Sequence, residues 1–431
     1  MLEELALNTK ETANASIFYK KDAVMKTALY TYAWDYLDEG PDNVLDKFNS
    51  CGLDGVYVAL KYHTAQGILL HNPKHKVYFP KPGAIYFKHD PKIYSNSLIK
   101  PIVSPVVEDD DFDVMKVLRP KTKERGMGLY AWILGYHSTA FGQLYPSVSI
   151  TNVFGDKLQH SQCPSNPDME EYLINTVNDI TSNYDIDKIL LESVESLGIY
   201  HGFHHEMTGV PLTPLIGFFL GLCFCPYCQR NAEKRNIDFG ILQVIVKKTI
   251  EEFFTIGVQN LAEDWKSIRA MGNGDMGKYL DMRQDINAEI HIRIKDCIRK
   301  NSNCVISALD FGPLTYTYSL GPDGCSWENG VNLQKIEDYV DNIVPTFYHD
   351  DLNELAPKFE EFKSMLKGKT KIGIALDAIV MPGSTSHKDM KKSLTFSTNL
   401  FKNKTEIDEL SFFNYSLMRL DTLDFINSLM K

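Results

Sequence analysis

Eight short runs of β-branched and aromatic apolar residues, separated by stretches in which apolar residues recur at helical spacing, restrict this 431-residue chain more than any other feature. The runs are Thr27 to Trp34, Gly55 to Leu60, Gly128 to Leu134, Lys188 to Leu191, Cys304 to Leu309, Asn342 to Phe347, Lys371 to Leu376 and Glu409 to Tyr415. Each has the length and composition of a strand buried on both faces, as parallel strands are. Helical stripes fall between them: Met169, Tyr172, Leu173, Val177 and Ile180 after an Asn166-Pro167 start, then Phe239 to Phe254, Asp281 to Arg299, Leu352 to Leu366, Lys388 to Leu400 and Leu423 to Met430. Eight strands alternating with helices, and a last helix after the eighth, give a (β/α)8 barrel in the α/β class. An open doubly wound sheet is the alternative, since periodicity does not show closure. The lack of a glycine-rich phosphate loop after the first strand counts against a dinucleotide-binding version of it. The expected organisation is one barrel domain over 1–431 with an N-terminal extension of about 25 residues.

Three connections exceed plain loops: Tyr62 to Asp111, His137 to Pro164, and Ser193 to Leu222. They follow strands two, three and four, on the face where barrel active sites form. They are expected to wall a substrate pocket. The longest apolar run, Pro214 to Cys225, is well short of the roughly 20 residues of a membrane span. The formal net charge of −11 argues against a nucleic acid or an anionic membrane as partner. With acidic residues at Glu3 and Glu4 and no secretory pattern at the start, the expectation is a cytoplasmic protein. Association between copies of the chain is left open.

Cys223, Cys225 and Cys228 stand as CFCPYC, and a fourth cysteine, Cys163, lies in the loop after strand three, beside the loop after strand four in a barrel. Four thiolates so placed suit a closed, structural Zn²⁺ site; four buried thiols in a reducing compartment are the alternative.

CFCPYCQRNAEKR, with an upstream CPSNP opening a helix, resembles the zinc-binding pattern of glycoside hydrolase family 42, β-galactosidases whose barrel carries a cysteine cluster beside the active site. More broadly, the stretch from Leu191 to Cys228 resembles uncharacterised bacterial (β/α)8-barrel proteins known only as glycosidase-like. The likeness to family 42 implies Zn²⁺ at Cys163, Cys223, Cys225 and Cys228, a retaining mechanism, and an acid/base glutamate after strand four. The chain departs from that family in three ways. Leu191-Glu192 replaces an Asn-Glu pair, Leu376-Asp377 stands where a nucleophilic glutamate is expected, and one helix without that family's additional domains is expected after strand eight.

Glycoside hydrolysis requires one carboxylic acid to protonate the leaving oxygen and a second carboxylate to attack the sugar or activate water. Glu192, directly after strand four, is the acid/base candidate, and Glu195, three residues on, is a weaker substitute. For the second carboxylate the candidates are Asp377 after strand seven and Asp310 after strand five; Asp377 is favoured on the premise that strands four and seven face each other. Asp35 after strand one, and Lys61, Tyr62 and His63 after strand two, are candidate substrate contacts. Trp34, Trp132, Tyr136 and Tyr348 can offer flat apolar faces to sugar C–H groups.

His201, His204, His205 and Glu206 form a dense cluster with Tyr200 in YHGFHHE. Their spacing is not that of a helical zinc hydrolase motif, so hydrogen bonding to sugar hydroxyls or to the catalytic carboxylates is expected, with metal binding as the alternative. These residues suggest a carbohydrate-processing hydrolase acting on a small glycoside or oligosaccharide. The alternatives are a metal-dependent sugar isomerase, epimerase or lyase, and a non-catalytic carbohydrate-binding barrel.

Overall fold

Each of the eight expected runs forms a strand, with ends displaced by two residues at most. They are β1 (Lys26–Tyr32), β2 (Gly55–Lys61), β3 (Gly128–Leu134), β4 (Lys188–Glu192), β5 (Val305–Asp310), β6 (Asn342–Phe347), β7 (Lys371–Asp377) and β8 (Ile407–Phe413). All eight are parallel, and β1 pairs with both β2 and β8, so the sheet closes on itself. The open-sheet alternative is thereby excluded, and the chain is a (β/α)8 barrel. The computed structural model describes residues 25–199, 207, 209–257, 264–311, 327–348, 352–379 and 387–431.

The helices on the outside are α1 (Pro41–Ser50), α2 (Val114–Glu124), α3 (Pro167–Asn183), α4 (Asp275–Asn301), α5 (Leu333–Ile336), α6 (Leu352–Ser364), α7 (His387–Phe401) and α8 (Leu420–Met430). Helix α3 starts where its sequence says it should. The Asn166 side chain accepts from the backbone N–H groups of Asp168 and Met169, and Pro167 takes the first-turn position where a missing N–H costs nothing. Its Met169, Tyr172, Leu173, Val177 and Ile180 are buried against the barrel. Among the described residues no helix is long and apolar enough to cross a membrane.

The barrel interior is aromatic and, near its base, charged. Tyr30 stacks on Tyr57 with ring centroids 4.8 Å apart and meets Trp132 edge-on at 5.1 Å. Below them Lys188 Nζ lies 2.6 Å from Glu409 Oε2, and the Tyr57 hydroxyl donates to Glu409 Oε1 at 2.5 Å. The ammonium also sits over the Tyr130 ring, 4.9 Å from its centroid. Room for Tyr130 comes from Gly55 and Gly128, where an added Cβ would fall 2.5 and 2.4 Å from its ring.

The Lys188–Glu409 pair joins β4 to β8, the strand four steps away round the ring. The strand directly across from β4 is therefore β8, not β7, which corrects the premise on which Asp377 was preferred to Asp310. In a closed ring of eight, opposite strands are four apart, and β7 is one place short.

The long connections carry structure of their own. The one after β2 holds a small hairpin, Gly67–Ile68 with Val77–Tyr78. The one after β3 holds a helix, Thr139–Leu144, and a hairpin of Ser149–Thr151 with Lys157–Gln162. After β4, helix Pro214–Gly221 buries Leu215, Ile216, Phe218 and Phe219.

Candidate active site and cysteine centre

Side chains alternate along a strand, so register decides which groups face the barrel axis. On β4 the inward row is Lys188, Leu190 and Glu192, paired with Tyr130, Trp132 and Leu134 of β3. Glu192 thus ends the row at the C-terminal mouth. It is 8% exposed, and Trp132 Nε1 donates to its Oε2 at 2.6 Å. Burial pushes its carboxyl up to about 7, partly opposed by the Trp132 hydrogen bond, which favours the carboxylate.

The backbone immediately after Glu192 is strained. Ser193 has φ of 54°, a left-handed conformation that costs a non-glycine residue about 1–3 kcal/mol. It is held by Tyr136 N, which donates to Ser193 O at 2.6 Å, and by Gly135 N, which donates to Glu192 O at 2.7 Å. The approach is close enough that a Cβ on Gly135 would lie 2.8 Å from Ser193 O. This turn takes Glu195 off the mouth. Glu195 lines a small cavity with Asp310 and His291, between β5 and helices α4 and α5. Burial, then the neighbouring charges of Asp310 and Glu192, push the Glu195 carboxyl up to about 8.

The two candidates for a second carboxylate differ in which face of the barrel wall they occupy. Asp377 pairs with Phe413, continuing the row Gly373–Glu409 and Ala375–Ser411. Glu409 and Ser411 point into the barrel, toward Lys188 and Tyr30, so Asp377 belongs to an inward row at the mouth. Its Oδ1 accepts from Ile379 N at 2.9 Å. Asp310 follows Leu309, and Leu190–Ser307 pairing assigns Ser307 and Leu309 to the inward row. Asp310 therefore falls on the outer row, consistent with the cavity it shares with His291.

Among the candidate substrate contacts, the register also separates groups adjacent in sequence. A shift between Ala59 and Lys61 pairs Lys61 with Ile133, outside the inward row. The Lys61 ammonium donates to the Leu134 and Gly135 carbonyls at 2.6 and 2.7 Å and lies over the Phe141 and Tyr172 rings. Burial there lowers it to about 7. Tyr62 instead faces the mouth, its hydroxyl accepting from Tyr32 at 2.8 Å and its ring 5.4 Å from Trp132. His63 is stacked between Tyr62 and His137, and burial lowers it to about 4.

Tyr348 lies 6.1 Å from Phe413 at the mouth. Tyr136 is fully buried near Cys163, away from the barrel axis. Asp35 is engaged by its own protein, accepting from Tyr32 N at 2.8 Å and from the Ser416 hydroxyl, and burial pushes it up to about 7. His201, His204, His205 and Glu206 lie outside the described residues.

Beside Trp132, over the ends of β1, β2, β7 and β8, opens a cavity of about 490 Å³ whose walls include Tyr32, Trp34, Tyr62, Tyr78 and Phe413. Tyr32, Tyr78 and Phe413 were not among the expected site residues. The alternation of large aromatics along TALYTYAW, at Tyr30, Tyr32 and Trp34, was a usable signal for the first. Tyr78 and Phe413 had none, because Tyr78 is brought in by the hairpin and Phe413 by closure of the barrel.

The four cysteines do converge. Cys163 Sγ lies 3.5, 3.6 and 3.7 Å from the sulfurs of Cys228, Cys223 and Cys225, and all four lie within 4.8 Å of one another. Disulfides would need about 2 Å, whereas four sulfurs on a tetrahedral ion at about 2.3 Å stand roughly 3.8 Å apart. The residues fit a metal, and their donor set is the sulfur-only set of a closed site. Hydrogen bonds from the three neighbouring thiols hold Cys225 far below its ordinary value, whereas burial pushes Cys223 up. Thr151 N donates to Cys223 Sγ at 3.5 Å, and the buried guanidinium of Arg283 stands nearby with Nη1 unpaired among the described residues.

A mouth that carries a buried carboxyl and an aromatic cavity belongs to the class of (β/α)8 barrels, and the comparisons agree at the level of fold. Solved structures that match include the glycoside hydrolase domain of PgaB (BpsB) from Bordetella bronchiseptica, 12% identical over 90% of this chain and 94% of that one, with a TM-score of 0.53. The catalytic domain of β-amylase from Paenibacillus polymyxa is 11% identical over 96% of this chain and 100% of that one, with a TM-score of 0.52. A β-galactosidase from the psychrophilic Marinomonas ef1 is 9% identical over 94% of this chain and 59% of that one, with a TM-score of 0.55. No protein-family model and no curated protein sequence matches the chain.

Proposed function

We propose that this protein is a glycoside hydrolase whose general acid is Glu192. The observation that carries the reading is a buried carboxyl at the barrel mouth, raised to about 7 and oriented by the Trp132 indole N–H. Such a group holds a proton near neutral pH and can release it to a departing oxygen. The fold supports the reading, being one that glycoside hydrolases use.

Asp377 is the second carboxylate in this proposal, and its support is now the inward row it shares with Ser411 and Phe413 rather than the position of its strand. Tyr62, Trp132 and Tyr348 shape the mouth around the sugar. Zn²⁺ at Cys163, Cys223, Cys225 and Cys228 acts as a structural tie between the connections after β3 and β4. With four thiolates, Zn²⁺ would leave a net charge of about −2, part of which the single charge of Arg283 is placed to offset.

The test is hydrolysis of a panel of aryl glycosides by wild type and Glu192→Gln. Release from one sugar by wild type, lowered about a hundredfold or more in the variant, is the expected result. Activity that survives in Glu192→Gln against a substrate with a poor leaving group would remove Glu192 as the acid.

A further inference from the structure

Lys61 ends β2 beside the mouth, yet the register shift after Ala59 takes it out of the inward row, and it is only 2% exposed. A buried cation is costly unless its surroundings offset the lost water. Among the described residues no carboxylate pairs with this one. Its acceptors are the backbone carbonyls of Leu134 and Gly135, at 2.6 and 2.7 Å. The rings of Phe141 and Tyr172 flank the ammonium, their centroids 5.5 and 5.8 Å away. A side chain so enclosed does not reach a substrate.

The two carbonyls belong to consecutive peptide groups, and the N–H at the other end of each group is engaged as well. The Leu134–Gly135 peptide accepts from Lys61 through its C=O and donates through Gly135 N to Glu192 O at 2.7 Å. The Gly135–Tyr136 peptide accepts from Lys61 through its C=O and donates through Tyr136 N to Ser193 O at 2.6 Å. Two parallel chains of hydrogen bonds thus run from one buried nitrogen, across two peptide groups, to the carbonyls of Glu192 and Ser193. A donor at one end of a peptide polarises it and strengthens the bond made at the other.

What these chains hold is the strained turn, in which Ser193 keeps φ of 54°. Only glycine at position 135 lets β3 come so near, since an added Cβ would meet Ser193 O at 2.8 Å and Val194 Cα at 3.3 Å. The Glu192 carboxyl hangs from the first residue of this turn and meets the Trp132 indole N–H. With the hold released, Ser193 can relax to an ordinary conformation, and the carboxyl is then free to swing off the indole toward water.

We propose that Lys61 is a positioning residue for the general acid: through the Gly135 and Tyr136 peptides it keeps the Glu192 carboxyl against the Trp132 N–H. This rests on the hydrolase reading above. The hold depends on donors rather than on charge, because a neutral amine still has two N–H groups for two carbonyls. Lys61 acts at a distance from the sugar, so its loss should weaken turnover and leave substrate binding as it is.

The experiment compares wild type with Lys61→Met, which keeps the apolar length of the side chain and removes every donor. The first readout needs no substrate. The Glu192 carboxyl carbon is followed by NMR across pH in protein carrying carbon-13 glutamate, its resonance identified by its absence in Glu192→Gln. In wild type the midpoint should lie at about 7. Burial is the main cause of that value, so a carboxyl released to water in Lys61→Met should titrate lower by roughly one pH unit or more. Gly135→Ala breaks the same hold at its far end while keeping Lys61, should give the same fall, and carries the test if Lys61→Met does not fold. An unchanged midpoint would overturn the proposal, and so would a rise, the mark of a lost positive charge alone. The second readout uses whichever aryl glycoside the wild type hydrolyses. In Lys61→Met kcat should fall about a hundredfold with KM unchanged; a raised KM with kcat intact would make Lys61 a substrate contact and overturn the proposal. If wild type turns over no glycoside, the hydrolase reading fails, and the carboxyl titration still decides whether Lys61 positions Glu192.

Discussion

Trp132 Nε1 donates to Glu192 Oε2 at 2.6 Å, while the same indole ring packs against Tyr32, Tyr62 and Phe413. One side chain thereby orients the acid and supports three aromatic residues of the cavity wall.

The sign of this hydrogen bond gives a first prediction. The indole N–H favours the carboxylate, so it holds the Glu192 pKa below what burial alone would give. A general acid must be protonated, and activity should fall as pH rises through about 7. Trp132→Phe removes the donor, so the alkaline limb of kcat/KM should move to higher pH by roughly one unit, the worth of one buried hydrogen bond. A limb that stays put or moves down would contradict the assignment.

The base of the barrel gives a second. Lys188 and Glu409 are a buried ion pair, and removing one partner leaves the other charged and unpaired in an apolar interior. Lys188→Met should cost about 3–5 kcal/mol in a denaturant melt. Lys188→Met with Glu409→Leu should recover most of that loss, because neither charge is then stranded. A double variant as unstable as the single would show that the pair is not the source of the cost.

The barrel was legible because each strand has two buried faces and therefore appears in the sequence as an unbroken apolar run between helical stripes. Glu192 was legible for a related reason: a charged residue that ends such a run must lie at a strand end. What could not be read was register. The shift between Ala59 and Lys61 decides that Lys61 leaves the mouth while Tyr62 remains, and Leu309 before Asp310 looks the same in sequence as Leu376 before Asp377. Only pairing with the neighbouring strands shows that one aspartate belongs to the outer row and the other to the inner. Lys188 opens an apolar run and Glu409 opens another, yet nothing local shows that the two meet across 221 residues. The cysteines sit at the other extreme, since three are held by one short turn and the fourth by the loop beside it.

Glu195 supplies a third prediction, in the dependence of stability on pH. Its folded carboxyl is raised to about 8 against an ordinary value of 4.5, so between those values the folded state holds a proton that the unfolded state has lost. Stability should therefore fall as pH rises from about 4.5 to 8. Glu195→Gln cannot ionise and should flatten this slope. Each pH step of one between the two values is worth about 1.4 kcal/mol, so the variant should gain on the order of a few kcal/mol at about pH 8.5 and little at about pH 4. Urea melts across this range measure both chains, and parallel slopes would exclude Glu195 as the source.

The cysteine centre supplies the fourth. Three sulfurs at 3.5–3.7 Å from that of Cys163 are too far from it for disulfides and close to the spacing of a tetrahedral thiolate site. Purified protein should carry about one Zn²⁺ per chain. Because the ligands come from two separate connections, the ion ties the turn holding Cys223, Cys225 and Cys228 to the loop before α3. Cys225→Ser, or prolonged chelation, should lower the melting temperature by on the order of 10 °C. If the site is purely structural, the fraction that remains folded should keep its turnover. Loss of turnover at an unchanged melting temperature would instead make the metal part of the chemistry, and a metal-free chain of undiminished stability would leave the four residues as buried thiols.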